Sequence, residues 1–245
     1  MKNYKIILQY DGTRYQGWQK QDSTDNTLQG KLESLLKKMV GENVEVNGSG
    51  RTDSGVHAKG QVANFQVETD KMPHEIMEYM NLYLPEDIAV ISIKEVPERF
   101  HSRLNAKGKT YEYKVINSKI PHVFERKYAY VVEEKLDIEK MQKAANLLCG
   151  NHDFKAFTNN KRTKKSTERT IESIKIEKSK DEIIFSFSGT GFLYHMIRII
   201  MGTLLEVGNG IRKPEDMTSI LKSGKRENAG ALVPALGLCL MEVRY

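Results

Sequence analysis

Val44–Val67 reads VEVNGSGRTDSGVHAKGQVANFQV, and its parsing decides the fold. Val44 to Asn47 has the look of a short strand entering Gly48-Ser49-Gly50, because branched apolar residues alternate with polar ones. Beyond the loop, Ala63, Phe65 and Val67 alternate as on a half-buried strand. Two strands joined by a glycine-rich polar loop need neighbours to cover their apolar face. Toward the N-terminus, Tyr4 to Tyr10 is rich in β-formers and ends at the turn pair Asp11-Gly12. Leu28, Leu32, Leu35, Leu36 and Met39 then fall at helical spacing from Thr27 and close near Gly41. Toward the C-terminus, Pro73 opens a helix carrying Ile76, Met77, Met80 and Leu84, Pro85 ends it, and Ile88 to Ile93 is a nearly wholly apolar strand. The order is βαββαβ, a ferredoxin-like or split βαβ unit.

The second half repeats that order without repeating the residues. Thr110 to Ile116 is a strand, and Asp137 caps a helix carrying Ile138, Met141, Ala145 and Leu148 that stops at Gly150. Two alternating strands, Thr170 to Ile176 and Glu182 to Phe187, flank the turn Lys178-Ser179-Lys180-Asp181. Phe192 to Val207 is a buried helix, Pro214 starts a shorter one, and Leu236 to Tyr245 closes the chain as a strand. The expected fold is α+β: two similar βαββαβ lobes, residues 1–105 and 106–245, with antiparallel-rich sheets flanking a basic central cleft. The seam falls within Arg99 to Gly108.

Composition narrows the function classes. The 245 residues carry a net charge of +6, from 38 basic and 32 acidic side chains, so a polyanionic partner is compatible with the charge. Most of the asymmetry is local: Asn159 to Arg169 holds five basic residues and one acid. Lys161, Arg162, Lys164 and Lys165 there form either a solvated loop or an arm that neutralises phosphates. The mostly apolar stretch Phe192 to Val207 contains His195, Arg198 and Glu206 and is shorter than a membrane span. No secretory segment is expected at the N-terminus, which implies a cytoplasmic protein. Cys149 and Cys239 lie far apart, no His-Glu-x-x-His occurs, and neither a metal nor a cofactor is expected.

Chemistry concentrates in Gly48-Ser49-Gly50-Arg51-Thr52-Asp53-Ser54-Gly55-Val56-His57-Ala58. A phosphate cradle is excluded, because no Gly-Lys-Ser/Thr ending and no Gly-x-Gly-x-x-Gly is present. A turn in which Asp53 bonds its own backbone remains open on pattern alone. Arg198, between Met196-Ile197 and Ile199-Ile200, needs either a carboxylate from another element or a route to solvent at the helix edge. Tyr194, His195, Arg198 and Met201 form a polar strip along that helix. Tyr111 and Tyr113 share one strand face, an arrangement that serves packing or a site. Trp18 and Tyr15, in a loop with Arg14 and Lys20, either stack on bases or cover the edge of the core.

Taken together these segments resemble the tRNA pseudouridine synthase A family. The likeness runs through Tyr10-Asp11-Gly12-Thr13-Arg14-Tyr15-Gln16-Gly17-Trp18-Gln19, Thr27-Leu28-Gln29, Gly50 to Ala58, Phe100-His101-Ser102-Arg103, Lys109-Thr110-Tyr111-Glu112-Tyr113, Gly150 to Phe154, Gly191 to Arg198 and Ala235 to Tyr245. The resemblance implies an isomerase that converts uridine to pseudouridine on the 3′ side of the tRNA anticodon arm, positions 38 to 40, as a homodimer without a cofactor. It assigns Asp53 as the catalytic aspartate and Arg51 as the arginine holding the target base out of the helix. It makes Tyr111 the tyrosine packing on the uracil and Arg198 the arginine pairing with the aspartate. A non-catalytic RNA-binding protein or RNA chaperone, and a synthase acting on another RNA such as ribosomal RNA, are the competing readings.

Overall fold

The computed structural model describes residues 1–160 and 166–245. In chain order its elements are β1 (Lys2–Tyr10), α1 (Leu28–Val40), β2 (Val46–Gly48), β3 (His57–Val67), α2 (Pro73–Tyr83), β4 (Ile88–Val96), β5 (Gly108–Ile116), β6 (Tyr130–Val131), α3 (Ile138–Asn146), β7 (Gly150–Asp153), β8 (Glu168–Ser179), β9 (Glu182–Gly189), α4 (Met196–Gly208), α5 (Asp216–Ser223) and β10 (Leu238–Arg244). They divide into two units, Met1–Lys107 with Cys239–Tyr245, and Gly108–Leu238. Among the described residues no helix is long and apolar enough to cross a membrane.

In the first unit Tyr4, Ile6, Leu8 and Tyr10 alternate inward along β1, as period-two patterning requires. β1 runs antiparallel to both β3 and β4, and β2 runs antiparallel to β3. The order is therefore β4-β1-β3-β2, with β3 inserted between the two strands that α1 connects: the split βαβ arrangement. Thr27 starts α1 by accepting the Gly30 N–H at 3.2 Å, and Gly41 ends it in the left-handed region at φ 83°. Leu28, Leu32 and Leu36 form its buried face, each such side chain contributing roughly 1.5–3 kcal/mol of burial. β10 pairs in parallel with the start of β3, Cys239 opposite His57 and Leu240 opposite Ala58. These last residues thus group with the first unit, whereas the sequence reading placed them in the second lobe.

The second unit orders its strands β5-β9-β8-β7, all antiparallel, with β6 parallel to β5. Asp137 caps α3, accepting the Lys140 N–H at 3.1 Å. Two elements depart from the sequence expectation. β7 is Gly-Asn-His-Asp, a segment with no β-former, and it becomes a strand only because the edge of β8 supplies its hydrogen bonds. The buried helix begins at Met196, not Phe192, because His195 takes the left-handed conformation at φ 63°. Tyr194 and His195 therefore stand before the helix, and the expected polar strip is not a helical face.

Candidate active site

The Asp53 loop links β2 to β3 and is fastened on both flanks. Ser49 N–H donates to Val62 O (2.7 Å), its hydroxyl donates to Gln61 Oε1 (2.7 Å), and Gln61 Nε2 donates to Gly50 O (3.1 Å). One residue before the aspartate, Thr52 shares a hydrogen bond with the Tyr10 hydroxyl (2.9 Å) and accepts the Trp18 N–H at its carbonyl (3.0 Å). One residue after it, Ser54 Oγ donates to Tyr15 O (3.0 Å), and Val56 N–H closes the turn on Asp53 O (3.2 Å). Thr52 and Val56 are buried, Asp53 is half-buried and Arg51 is exposed. Burial holds the Tyr10 phenol well above its ordinary range, so it serves as a neutral hydrogen-bonding anchor.

The wall behind this loop is the segment Tyr10–Trp18, and here one expected site residue, Trp18, takes another role. Trp18 is 2% exposed, with its ring 6.3 Å from that of Tyr10. A ring so enclosed offers no face to a base; it fills the space beside Gly48, where a Cβ would lie 2.5 Å from the indole. Arg14 is exposed and directed to Asp87, with Nε and one terminal nitrogen each 2.8 Å from Oδ2, while the Tyr15 hydroxyl donates to Oδ1 of the same carboxylate (2.6 Å). The charge of Arg14 thus supports the turn that carries Tyr15. Gly17, at φ 89°, brings the wall so close that a Cβ would meet Thr52 O at 2.8 Å and the Asp53 carbonyl carbon at 3.3 Å.

Two further residues that the sequence reading did not single out complete the frame. Gly12 N–H, buried, donates to His57 Nδ1 at 3.0 Å. Asp11 Oδ1 lies 3.2 Å from the same nitrogen. Gln29, in the first turn of α1, accepts from Gln19 Nε2 (2.9 Å) and Lys20 N–H (3.0 Å) and donates to Val46 O (3.2 Å). Its side chain ties helix, wall and β2 together. Its sequence signals were its place just after the N-cap Thr27 and within the family-like segment Thr27-Leu28-Gln29.

In the second unit, Tyr111 on β5 is 8% exposed, opposite Phe187 on β9 and edge-on to Phe192 with centroids 5.5 Å apart. Tyr113, on the same face, is wholly buried and donates to Pro234 O at 2.7 Å. Its phenol is held far above the usual range, chiefly by burial and against the favourable charge of Arg198. Arg198 lies in the first turn of α4, half-buried, and its Nε donates to Val233 O at 2.8 Å. Part of the guanidinium is thus satisfied by backbone, a partner that no sequence pattern announces. Lys161, Arg162, Lys164 and Lys165 lie outside the described residues. Among the described residues no three His, Cys, Asp or Glu side chains come together as a metal site requires.

A half-buried carboxylate on a loop braced from behind can act as a nucleophile or a base on a substrate presented from the open side. Comparison with known proteins gives that chemistry a context. A family model described as tRNA pseudouridine synthase matches residues 6–105 and 144–245. The tRNA pseudouridine synthase A of Bacillus sp. (strain KSM-64) is 49% identical over 245 residues, all of both chains. The tRNA pseudouridine synthase A 1 of Clostridium tetani is 48% identical, and the tRNA pseudouridine synthase A 2 of Clostridium perfringens 46%, again over the full length of both. A solved structure of a Cbf5-Nop10-Gar1 complex aligns with 72% of this chain and 40% of that one, at 12% identity and a TM-score of 0.36, too distant to bear on the reading. With most of its length matched by the family model and relatives near half identity end to end, the chain belongs to the tRNA pseudouridine synthase family.

Proposed function

We propose that the protein isomerises uridine to pseudouridine in the anticodon arm of tRNA, at positions 38 to 40, with Asp53 as the catalytic carboxylate. The observation that carries this reading is the Asp53 loop itself. Thr52 and Ser54, on either side of the aspartate, are hydrogen-bonded to the wall behind them, while Asp53 stays half-buried. Such bracing fits a group that must meet a reacting carbon in one geometry. The reaction breaks N1–C1′, turns the uracil, joins C5 to C1′, and moves the C5 proton to solvent while N1 regains one. No electron or phosphoryl donor enters that balance.

Asp53 acts at the ribose, by attack on C1′ or by removing a C2′ proton, and both routes need the base out of its stack. Flipping costs a few kcal/mol, roughly, and less in a loop than in a stem. Arg51, exposed beside the aspartate, is suited to hold the displaced nucleotide. Tyr111 packs on the uracil and is the candidate to take the C5 proton. Arg198, whose Nε is held by Val233 O, is in this reading the arginine that pairs with the aspartate. Lys161, Arg162, Lys164 and Lys165 contact tRNA phosphates in this reading. The enzyme works in the cytoplasm as a homodimer.

The test is tritium release from tRNA transcripts carrying 5-tritiated uridine. The wild type is expected to release tritium from the anticodon arm, and Asp53→Asn to bind the same tRNA with no release. Binding without release by the wild type would overturn the enzymatic reading in favour of an RNA-binding role.

A further inference from the structure

Tyr194 and His195, between β9 and α4, form a stacked pair: their ring centroids are 3.6 Å apart and their planes 27° from parallel. Tyr194 is 55% exposed. An exposed ring normally samples several rotamers, yet two segments of the second unit hold the pair to which this one belongs. Thr158, buried, donates its hydroxyl to the Tyr194 carbonyl at 2.9 Å. Arg226 Nε donates to Asn159 Oδ1 at 2.9 Å, and its Nη1 donates to Gly230 O at 3.0 Å. With its oxygen so engaged, Asn159 turns its amide nitrogen to His195 Nδ1, 2.9 Å away. Nδ1 is then the acceptor of that hydrogen bond. The backbone of His195 is left-handed at φ 63°, a conformation uncommon outside glycine. Removing that twist would carry Tyr194 and His195 into the helix and part the two rings.

The arrangement adds little to the core, because the phenol faces outward. It presents a flat aromatic surface, backed by an imidazole that Asn159 holds in place. The pair also follows closely on Phe192, which packs edge-on against Tyr111. We infer that the Tyr194–His195 stack is a binding platform for a nucleobase of the RNA other than the target uridine, one flanking the flipped nucleotide; this rests on the proposed action on tRNA. Base–aromatic stacking suits such a neighbour because it needs no particular base identity, as an enzyme serving several tRNA sequences would require.

The experiment titrates tRNA transcripts onto the full-length chain carrying Asp53→Asn, so that binding is read without turnover. Adding Tyr194→Ala is expected to weaken binding about 5- to 150-fold, the loss of one base–aromatic stack. Tyr194→Phe and Tyr194→Trp should bind within about twofold of the parent. The slope of log affinity against log salt should stay unchanged, since stacking releases no counterions. A 2-aminopurine placed next to the target uridine should be quenched by the parent and not by the Tyr194→Ala variant. Parental affinity in Tyr194→Ala, or a Trp variant as weak as the Ala one, would overturn the inference, and so would equal quenching by both proteins. Turnover separates the two readings. If the wild type releases tritium and Tyr194→Ala keeps its KM, the platform alone fails. If the wild type releases none while binding still depends on Tyr194, the enzymatic reading fails and with it the place beside a flipped uridine, and the stack remains only a base-binding surface.

Discussion

Replacing Gly17 by alanine tests whether the segment Tyr10–Trp18 positions Asp53. Two costs arise at once. The residue sits at φ 89°, where an L-side chain costs about 1–2 kcal/mol. Its Cβ would also meet Thr52 O at 2.8 Å, so the Asp53 loop must retreat by about 0.6 Å to reach ordinary contact near 3.4 Å, at a further ~1–3 kcal/mol. Gly41 supplies the control: it has φ 83° and nothing within 4 Å of an added Cβ, so Gly41→Ala carries the backbone cost alone. For a chain of this size roughly 2–4 °C of Tm is lost per kcal/mol. Gly41→Ala is expected to melt about 2–8 °C lower with kcat unchanged. Gly17→Ala should melt lower still and lose on the order of 10- to 100-fold in kcat, because a shift approaching 1 Å at a reacting group costs about that much. Tritium release at saturating tRNA gives kcat, and differential scanning calorimetry gives Tm. A Gly17→Ala protein that melts lower yet turns over within twofold of Gly41→Ala would refute the idea that this wall sets the position of the aspartate.

Other expectations follow from the same geometry. Trp18→Ala should destabilise by about 3–5 kcal/mol, the range for emptying a buried aromatic site, and the fluorescence of this single tryptophan should not shift when tRNA is added. Asp87→Asn keeps an acceptor for the Tyr15 hydroxyl and should retain most activity, whereas Asp87→Ala orphans that donor and should lower kcat more than it raises KM. Burial lifts the Tyr10 and Tyr113 phenols above their ordinary value of 10.0. Above that pH the unfolded chain loses protons that the native chain retains, so stability should fall as pH rises past about 10. Tyrosinate absorbance from these two residues should then appear together with unfolding and not before it.

What was legible in the sequence was local. Thr27 and Gly41 mark the ends of α1 because a hydroxyl cap and a left-handed glycine act within one helical turn. The alternation along β1 and β3 gave away the sheet for the same reason. Asp53 stood out because three glycines around an acid are rare in plain packing, and Tyr111 and Arg198 drew attention as polar groups among apolar ones. What stayed hidden depends on residues distant in the chain. β7 owes its form to β8, the Arg198 Nε to the Val233 carbonyl, and the start of α4 to a backbone angle at His195 that Asn159 and Arg226 support. Trp18 shows the limit most clearly. Its neighbours Arg14 and Lys20 gave it the look of a base-stacking residue, and only the placement of Tyr10 and Gly48 turns the ring inward.

The partition of β10 bears on how the protein is made. Cys239–Tyr245 complete the first unit, where Lys107 N–H donates to Arg244 O at 2.8 Å, the Tyr245 hydroxyl donates to Ser102 O at 2.6 Å, and Lys5 lies over the Tyr245 ring at 3.9 Å. The second unit, residues 108–238, is translated in between. At roughly 5–20 residues per second the ribosome spends about 7–26 s on that interval. Throughout it, the stretch of β3 that will receive β10 is a bare strand edge, open to pairing with other nascent chains. The unit that carries Asp53 is therefore begun before the second unit and completed after it.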